Sequence, residues 1–320
     1  MATTVPTLDL AVSLTDRTVP ILLERVTMRE RKIAWQDVQL EEIFVRQMSD
    51  TPFHVAECSL ASYLIARARG EDRLTAIPVF LSRAFRHNAI YVRADSTATT
   101  LADLRGARFG VPEFQMTAAV WVRALLRDAG MGNGDFTWTT YRPERVAIEV
   151  PAKPGTSRDA VAALIEGEVD VIFTARRPSA DVFPTTGEPG AIRRLLADPW
   201  REEREYYART RIFPIMHLVA LDTTVVCDQA LIRSAYDLFA AARAYAFGLL
   251  HETVYSAVAL PWLEERVELT ERTMNDDWWT YGVARNWAQL EIFMDALIAD
   301  GLLPRRLTLD EVFSSSTHDT

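Results

Sequence analysis

The stretch FLSRAFRHNAIY, Phe80–Tyr91, places two arginines and a histidine between two apolar runs. The runs LTAIPVF and AIYV at its two ends have the composition of short strands that are buried on both faces. Arg83 and Arg86 are suited to bidentate binding of carboxylates, and His87 can move a proton near neutral pH. The pattern predicts a ligand site at this junction, and an arginine-rich surface turn is the alternative.

The bulk composition limits the class of protein. The chain has 320 residues, enough for two domains, and 49% hydrophobic and 25% charged residues are typical of a globular protein. The formal net charge is −9, which disfavours a nucleic-acid partner because proteins bind nucleic acids through basic surfaces. Cys58 and Cys227 form no CxxC pair, so neither a zinc site nor a disulfide framework is indicated.

The amino-terminal segment MATTVPTLDLAVSL has no basic region ahead of its apolar residues, and no stretch reaches the length of a transmembrane helix. We therefore expect a cytoplasmic protein without a membrane partner. No surface stripe stands out from the core pattern, so the sequence leaves a homo-oligomer open.

Candidate strands alternate with candidate helices along the first two thirds of the chain, and the remainder is mostly helical. This order predicts an α/β fold with a mostly parallel sheet and helices on both faces. In such sheets ligands bind beyond the carboxyl ends of the strands. The polar side chains expected at these strand ends are Arg17, Glu57, Ser59, Arg83, Arg86, His87, Gln115, Thr117, Arg176 and His217.

The helix expected over residues 117–128 has Gln115 and Thr117 at its start. Free backbone N–H groups and the helix dipole favour an anion there, with simple capping as the alternative. At the other end of the chain, the tail SSSTHDT from Ser314 is expected to fray.

Six segments carry a family resemblance: DRT (Asp16–Thr18), AECSLASYLIARARG (Ala56–Gly70), AIPVFLSRAFRHNAIYV (Ala76–Val92), FGVPEFQMTAAVWVRALL (Phe109–Leu126), IFPIMHLVAL (Ile212–Leu221) and YGVARNW (Tyr281–Trp287). In this order the chain resembles the 4,5-dihydroxyphthalate decarboxylases, within the type II periplasmic-binding-protein-like superfamily. The segments span nearly the whole chain. One departure is FHVAE, where the family has FDVSE, so His54 replaces an acid and either adds a proton-transfer group or marks a different substrate.

The resemblance implies a two-lobed fold with a C-terminal helical part and a site in the cleft between the lobes. Two crossover strands are expected near residues 90–94 and 213–218. Lobe 1 then comprises residues 1–93 and 213–320, including the C-terminal helices, and lobe 2 comprises residues 94–212.

The resemblance also implies a cofactor-independent decarboxylase for a hydroxylated aromatic carboxylate such as 4,5-dihydroxyphthalate. The usual route without a metal or organic cofactor is to protonate the ring carbon that carries the carboxylate and then to release CO₂. The site needs an acid, an acceptor for a phenolic proton and a cationic clamp for a second carboxylate. Positioned acid–base groups contribute roughly 10²–10⁴-fold in rate.

On this interpretation His87 is the first candidate for the proton donor, His217 is the competing acid and Glu57 is the acceptor. The substrate-binding candidates are Arg17, Ser59, Arg83, Arg86, Gln115, Thr117, Arg176, Trp279 and Tyr281, the last two as walls for the ring. Each has an ordinary alternative: a core histidine, a capping carboxylate or a core aromatic residue. His54, His87 and His217 lack the short spacing of a metal site, so no metal ligand and no cofactor are predicted.

Two rival functions remain open. One is a solute-binding protein for a small organic anion, which the fold allows and the missing export signal disfavours. The other is a different lyase or a secondary-metabolism enzyme on the same scaffold, which the change at His54 keeps open.

Overall fold

The structure is a computed structural model that describes residues 6–49, 52–184 and 189–320. The strands are β1 Thr7–Ala11, β2 Lys32–Trp35, β3 Val55–Ser59, β4 Leu74–Arg83, β5 Ile90–Arg93, β6 Arg108–Val111, β7 Thr137–Thr140, β8 Lys153–Pro154, β9 Val171–Phe173, β10 Ile192–Arg194 and β11 Ile215–Asp222. The helices are α1 Val19–Leu22, α2 Leu40–Gln47, α3 Leu60–Ala68, α4 Thr117–Asp128, α5 Ala160–Glu166, α6 Pro199–Thr210, α7 Gln229–Leu250, α8 Leu263–Met274, α9 Trp287–Ala299 and α10 Leu309–Val312.

The chain folds as two compact units. Unit 1 contains the described chain up to Arg83 together with Ile215–Leu290 and Leu307–Thr320. Unit 2 contains Ala84–Pro214 and Glu291–Arg306. Both units are discontinuous in sequence, and the second boundary between them falls at the start of β11.

This division differs in two places from the lobes expected from the sequence. Residues 84–93 belong to unit 2, because β5 pairs with β9 and β10 in the sheet of that unit. Residues 291–306 also belong to unit 2, where Phe293 packs on Trp121 and the Asp300 carboxylate accepts hydrogen bonds from Arg123 and Arg127. Assignment of the units as functional lobes remains a prediction.

Unit 1 is built on a five-stranded sheet with the order β2-β1-β3-β11-β4. Strand β1 is parallel to β2 and β3, and β11 runs antiparallel to β3 and β4. One face of the sheet packs on α7 through a buried cluster that includes Leu10, Val79, Val219, Leu238 and Phe239. The carboxyl ends of β1, β3 and β4 and the beginning of β11 therefore lie at the same edge of the sheet.

Strand β4 is irregular where it passes the beginning of β11. His217 lies opposite Ser82, whereas Val219 lies opposite Ile77, so β4 carries three extra residues in this interval. One of them is Pro78, which has no backbone N–H to give to a partner. Such bulges bend a strand and re-aim nearby side chains.

The carbonyl groups of this bulged segment bind other parts of unit 1. Pro78 O accepts a hydrogen bond from Gly282 N at 2.8 Å, and Phe80 O accepts one from Trp279 Nε1 at 2.8 Å. Leu81 O accepts one from Arg17 Nη2 at 3.2 Å. The bulge thus anchors the segment 279–282 and the loop after β1.

Unit 2 contains a six-stranded sheet with the order β10-β5-β9-β6-β7-β8. Strands β9, β6, β7 and β8 are parallel, and β5 runs antiparallel to β9 and β10. His87–Ala89 forms a 3-10 turn directly before β5. This turn packs against α6, so both lie beside the carboxyl end of β9.

The tail expected to fray is instead ordered. Ser314 N donates to Ala76 O, Thr317 is fully buried, and Thr320 O accepts from Ala284 N at 2.8 Å. Hydrogen bonds to the backbone of two other segments outweigh the low apolar content of SSSTHDT. None of the helices in the described ranges combines the length and apolar character needed to cross a membrane.

Candidate active site

A carboxylate–imidazole pair, of which the carboxylate is buried, lies at the carboxyl edge of the unit 1 sheet. The side chains are Glu57 on β3 and His217 on β11, with Glu57 Oε1 2.5 Å from His217 Nδ1. Glu57 is 1% exposed, and it stands in the middle of a strand whose five residues are all buried. A buried carboxylate in such a strand needs partners to offset its desolvation.

Both oxygens of Glu57 have partners. Oε1 faces His217, and Oε2 accepts a hydrogen bond from the backbone N–H of Ser13 at 2.8 Å. Burial raises the pKa of Glu57, but the bonds from His217 and Ser13 and the charge of His217 outweigh burial, so the pKa is lowered. Glu57 is therefore ionised at neutral pH, and its bond to Nδ1 fits a carboxylate that orients the imidazole.

The carboxylate fixes the orientation of the His217 ring. Nδ1–H donates to Glu57, and Nε2 makes no hydrogen bond within the described residues. The Phe44 ring contacts the imidazole edge-on, with ring centroids 4.7 Å apart. Ser59 and Ser82 stand opposite His217 on the two neighbouring strands. Nε2 is thus the nitrogen that can exchange a proton with a ligand.

Arg17 and Trp279 form a second group in unit 1. The guanidinium of Arg17 lies 4.0 Å from the centroid of the Trp279 ring, donates to Leu81 O and pairs with Asp16 at 2.5 Å. Because Ser13 binds Glu57 on β3 and Arg17 reaches Leu81 on β4, residues 13–17 cross the sheet edge above β3 and β11. This crossing brings Arg17 to the same edge as the Glu57–His217 pair.

Tyr281 belongs to the same group. Its hydroxyl is buried and has no hydrogen-bond partner among the described residues. Burial raises the pKa of Tyr281, and the charges of Arg17, Arg243 and Arg83 partly offset this rise. Arg17, Trp279 and Tyr281 were all predicted to bind substrate, and the structure brings them together.

Arg83 serves the architecture of unit 1. Its guanidinium donates to Thr280 O at 2.9 Å, to Asn286 Oδ1, and to Gln289 Oε1 at 3.4 Å. The side chain is buried and binds the segment that carries Trp279 and Tyr281. The geometry therefore disfavours Arg83 as a direct clamp and supports a positioning role.

The predicted anion site at the start of α4 already holds an internal carboxylate. Glu144 Oε1 accepts from Phe114 N at 2.7 Å, and Oε2 accepts from Gln115 N at 2.9 Å. The side-chain amide of Gln115 binds both the N–H and the C=O of Val146. Thr117 is buried at the first position of the helix. Gln115 therefore holds the 144–146 segment in place, and the structure does not support it as a substrate ligand.

His87, the first candidate for the proton donor, lies in unit 2. It is 5% exposed and lines a cavity of about 490 Å³ bounded by α4, α6 and residues 99–101. Burial lowers the pKa of His87 to about 4, although Glu202 and Asp128 partly offset this effect. A histidine that is neutral at pH 7 is a poor proton donor, so the surroundings favour His217 over His87.

Arg86 and Arg176 also lie in unit 2. Arg86 precedes the 3-10 turn, and its pKa is lowered to about 10 by burial, partly offset by Glu203. Arg176 follows β9 in an exposed turn. Both stand beside the carboxyl end of β9, as the sequence predicted.

His54 is placed away from the Glu57–His217 pair. Its Nδ1 accepts a hydrogen bond from Asp9 N at 3.0 Å, in the middle of β1. No three His, Cys, Asp or Glu side chains within the described residues are grouped closely enough to hold a metal ion. His54, which departs from the family pattern, thus joins the start of β3 to β1 through this hydrogen bond.

The sequence did not reveal four residues that shape these sites. Ser13 and Glu144 act as partners through backbone and carboxylate groups that no motif marks. Phe44 on α2 covers the ring of His217. Glu203 lies on α6, whose sequence PWREEREYYART is dominated by charged residues. Only the helical spacing of apolar residues on α2 gave any signal.

Two curated relatives carry the same name. The 4,5-dihydroxyphthalate decarboxylase of Comamonas testosteroni is 35% identical over 286 residues, which is 85% of this chain and 86% of the relative. That of Pseudomonas putida is 37% identical over 179 residues, which is 52% of this chain and 68% of the relative. The chain belongs to the 4,5-dihydroxyphthalate decarboxylase family. The family predicted from the six segments is therefore confirmed.

The wider relationships of this family member are to binding proteins. Residues 23–222 match the family described as "ABC transporter, phosphonate, periplasmic substrate-binding protein", so the chain also belongs to this broader family. The structure of the periplasmic aliphatic sulphonate binding protein SsuA from Escherichia coli has a TM-score of 0.58 at 16% identity, covering 99% of this chain and 100% of that chain.

A desulfurization enzyme shares the fold as well. A cysteine-to-serine mutant of DszB in complex with biphenyl-2-sulfinic acid has a TM-score of 0.56 at 15% identity, covering 98% of both chains. At this identity these likenesses show the fold alone. They confirm the periplasmic-binding-protein-like α/β class, which hosts both binding proteins and enzymes.

Proposed function

We propose that this protein is a carboxy-lyase that removes CO₂ from a hydroxylated aromatic carboxylate such as 4,5-dihydroxyphthalate. The observation that carries the proposal is the decarboxylase of Comamonas testosteroni, which matches 85% of the chain at 35% identity. The Glu57–His217 pair supports it, because it provides an oriented proton carrier at the edge of a sheet where ligands bind in α/β folds.

The chemistry needs one proton and no redox change. His217 Nε2–H protonates the ring carbon that carries the carboxylate, while a ring hydroxyl para to it donates electrons. The bond between the ring carbon and the carboxyl carbon then breaks, its electron pair restores the aromatic ring, and CO₂ leaves. The net change is replacement of a carboxylate by hydrogen, and His217 regains its proton from solvent.

Each residue in unit 1 has a place in this scheme. Glu57 holds the imidazole in the tautomer that leaves Nε2 available and stabilises the ring while it carries the proton. Arg17 supplies positive charge for an anionic substrate, and Trp279, stacked on it, offers a flat apolar face to an aromatic ring. Arg83 acts through Asn286 and Thr280, which position the segment bearing Trp279.

Turnover is the direct test. Purified protein would be incubated with 4,5-dihydroxyphthalate and a panel of mono- and dihydroxybenzoic acids, with CO₂ release and ring products quantified by chromatography. We expect saturable CO₂ release from at least one hydroxylated acid and none from phthalate, which lacks the electron-donating hydroxyl.

A solute-binding protein is the second candidate, because the match over residues 23–222 is to a substrate-binding family. A binding protein would bind one of these acids saturably and release no CO₂ from any of them. That result would overturn the lyase assignment.

A further inference from the structure

Unit 2 contains a largely buried cation and a buried carboxyl group that are close together but do not form an ion pair. They are Arg86, directly before the 3-10 turn at His87–Ala89, and Glu203 on α6, the helix that packs on this turn. The charge of each acts on the other, yet no ion pair joins them among the described residues. Neither group is used by the Glu57–His217 chemistry.

Glu203 is only half satisfied. It is 8% exposed, and its carboxylate accepts a hydrogen bond from the backbone N–H of Asn88. Its Oε1 is buried without any partner in the described part of the chain. Buried carboxyl oxygens are almost always paired, so an unpaired one indicates a proton or a ligand that completes the site.

Arg86 has the complementary deficit. Its Nε is buried without a partner, and its guanidinium makes no hydrogen bond or ion pair with any described residue. Most arginines in this protein have acidic or carbonyl partners, as Arg123 and Arg127 do on Asp300. A partly buried guanidinium without an acceptor is a binding group for a planar anion.

The charges around Glu203 come from three elements. Arg86 lies beside the turn, Arg194 lies on β10, and Arg204 lies on α6 itself. Burial raises the pKa of Glu203 to about 7, and these three arginines only partly offset the rise. Near pH 7 the carboxyl group therefore exchanges its proton readily, which makes it responsive to an anion bound beside it.

We propose that Arg86 and Glu203 form a proton-linked carboxylate-binding subsite, in which Arg86 binds the carboxylate of an aromatic acid and Glu203 takes up a proton as it binds. The anion then replaces Glu203 as the counter-charge of Arg86, and the protonated Glu203 remains as a neutral group. The identity of the ligand rests on the proposed function, because the proposed substrate is itself an aromatic carboxylate.

Calorimetric titration with phthalate tests this without any turnover, since phthalate has no hydroxyl to titrate or to support decarboxylation. In two buffers of different ionisation enthalpy, we expect uptake approaching one proton per phthalate at pH 8. The affinity should be constant from pH 6 to 7 and should fall about tenfold per pH unit above pH 7. Glu203→Gln should bind phthalate with an affinity that does not change over this range.

Two further variants sharpen the test. Glu205→Gln, an exposed position on the same helix, should keep the wild-type pH dependence. Arg86→Met should weaken phthalate binding at pH 6 by at least about tenfold, as expected for loss of a charge-assisted bidentate contact. If Arg86→Met does not fold, proton uptake by the wild type and by Glu203→Gln still decides.

The subsite is refuted if phthalate fails to bind at millimolar concentration, if no proton is taken up, or if Glu203→Gln keeps the wild-type pH slope. The subsite is also refuted if Arg86→Met binds phthalate with an affinity within twofold of the wild type. CO₂ release, measured on the same preparations, separates this proposal from the function. CO₂ release without proton-linked binding removes the subsite alone, and proton-linked binding without CO₂ release from any acid removes the lyase assignment alone.

Discussion

At the scale of single residues, the Glu57–His217 pair makes the sharpest prediction. His217→Gln should lower kcat by roughly 10²–10⁴-fold, because the group that delivers the proton is lost. Glu57→Gln should lower kcat by about 10²-fold or more, since the neutral amide no longer stabilises the protonated ring. Steady-state kinetics on the best substrate would measure both, and the wild type should show a solvent isotope effect.

The chain offers a matched control for these two substitutions. His251 and Glu271 form another histidine–glutamate pair, with His251 Nε2 2.7 Å from Glu271 Oε1, on the exposed surface of unit 1. His251→Gln and Glu271→Gln should keep kcat within twofold of wild type. Equal losses in the two pairs would show that the effect is not specific to the candidate active site.

The same scale separates the two candidate histidines. His87→Asn should keep kcat within a few-fold, because a buried imidazole with a pKa lowered to about 4 is uncharged at pH 7 and lacks the acidic imidazolium proton. Kinetics of His87→Asn beside His217→Gln would decide, provided that both variants give native circular dichroism spectra. A large loss in kcat for His87→Asn with a small loss for His217→Gln would reverse the assignment.

At the scale of elements, Arg83 tests whether the arginine-rich stretch binds substrate or holds the fold. Arg83→Met removes the charged donor that Asn286 Oδ1 and Thr280 O share, so the free energy of unfolding should fall by about 3 kcal/mol. Urea unfolding measures this loss. As control, Arg285→Met, at an exposed arginine paired with Asp277, should change it by less than about 1 kcal/mol.

The outcome distinguishes positioning from direct clamping. A destabilised Arg83→Met enzyme whose KM also rises fits a residue that positions Trp279 and Tyr281. Unchanged stability with a strongly raised KM would instead restore Arg83 to the role of clamp predicted from the sequence.

The elements that were predicted share a strong periodic signal. Helix α4 was expected over residues 117–128 and has these bounds, because apolar residues recur at helical spacing along it. Helices α6 and α8 were missed because charged residues dominate PWREEREYYART and LEERVELTERTM, which gives only a narrow apolar stripe.

The sequence predicted which residues stand at the strand ends of the site, but it did not predict which of them contact each other. Glu57 and His217 were both named as candidates, because each stands in an apolar strand at the edge where ligands bind. Their contact across β3 and β11 depends on strand order and on the register of β11 against β3, which no local pattern encodes. Gln115 was named for its place before a helix, whereas its actual partner comes from residues 144–146, far along the chain.

At the scale of the whole molecule, two buried groups of unit 2 should change the free energy of unfolding with pH in opposite directions, so that their effects largely cancel. The pKa of His87 is 6.5 when unfolded and about 4 when folded, so between these values the unfolded state binds more protons and stability rises with pH. The pKa of Glu203 is 4.5 when unfolded and about 7 when folded, so between these values the folded state binds more protons and stability falls with pH.

Removing either group should uncover the slope of the other. The free energy of unfolding of Glu203→Gln should rise from pH 5 to pH 6.5, because only the effect of His87 remains. The change over this interval should exceed that of the wild type by about 2 kcal/mol. His87→Asn should lose stability over the same interval. Urea unfolding of both variants and of the wild type at the two pH values checks this, and parallel curves for all three proteins would contradict it.

Strand β4 is an edge strand of the unit 1 sheet. Unpaired backbone groups on an edge strand can pair with a strand from another chain. Here the carbonyls of Ala76, Pro78, Phe80 and Leu81 are already bound by Ser314, Gly282, Trp279 and Arg17. Pro78 has no backbone N–H to donate to an added strand. The contacts that hold the aromatic segment beside the candidate active site therefore also protect the protein against edge-to-edge aggregation, so a change that loosens this segment exposes a template for it.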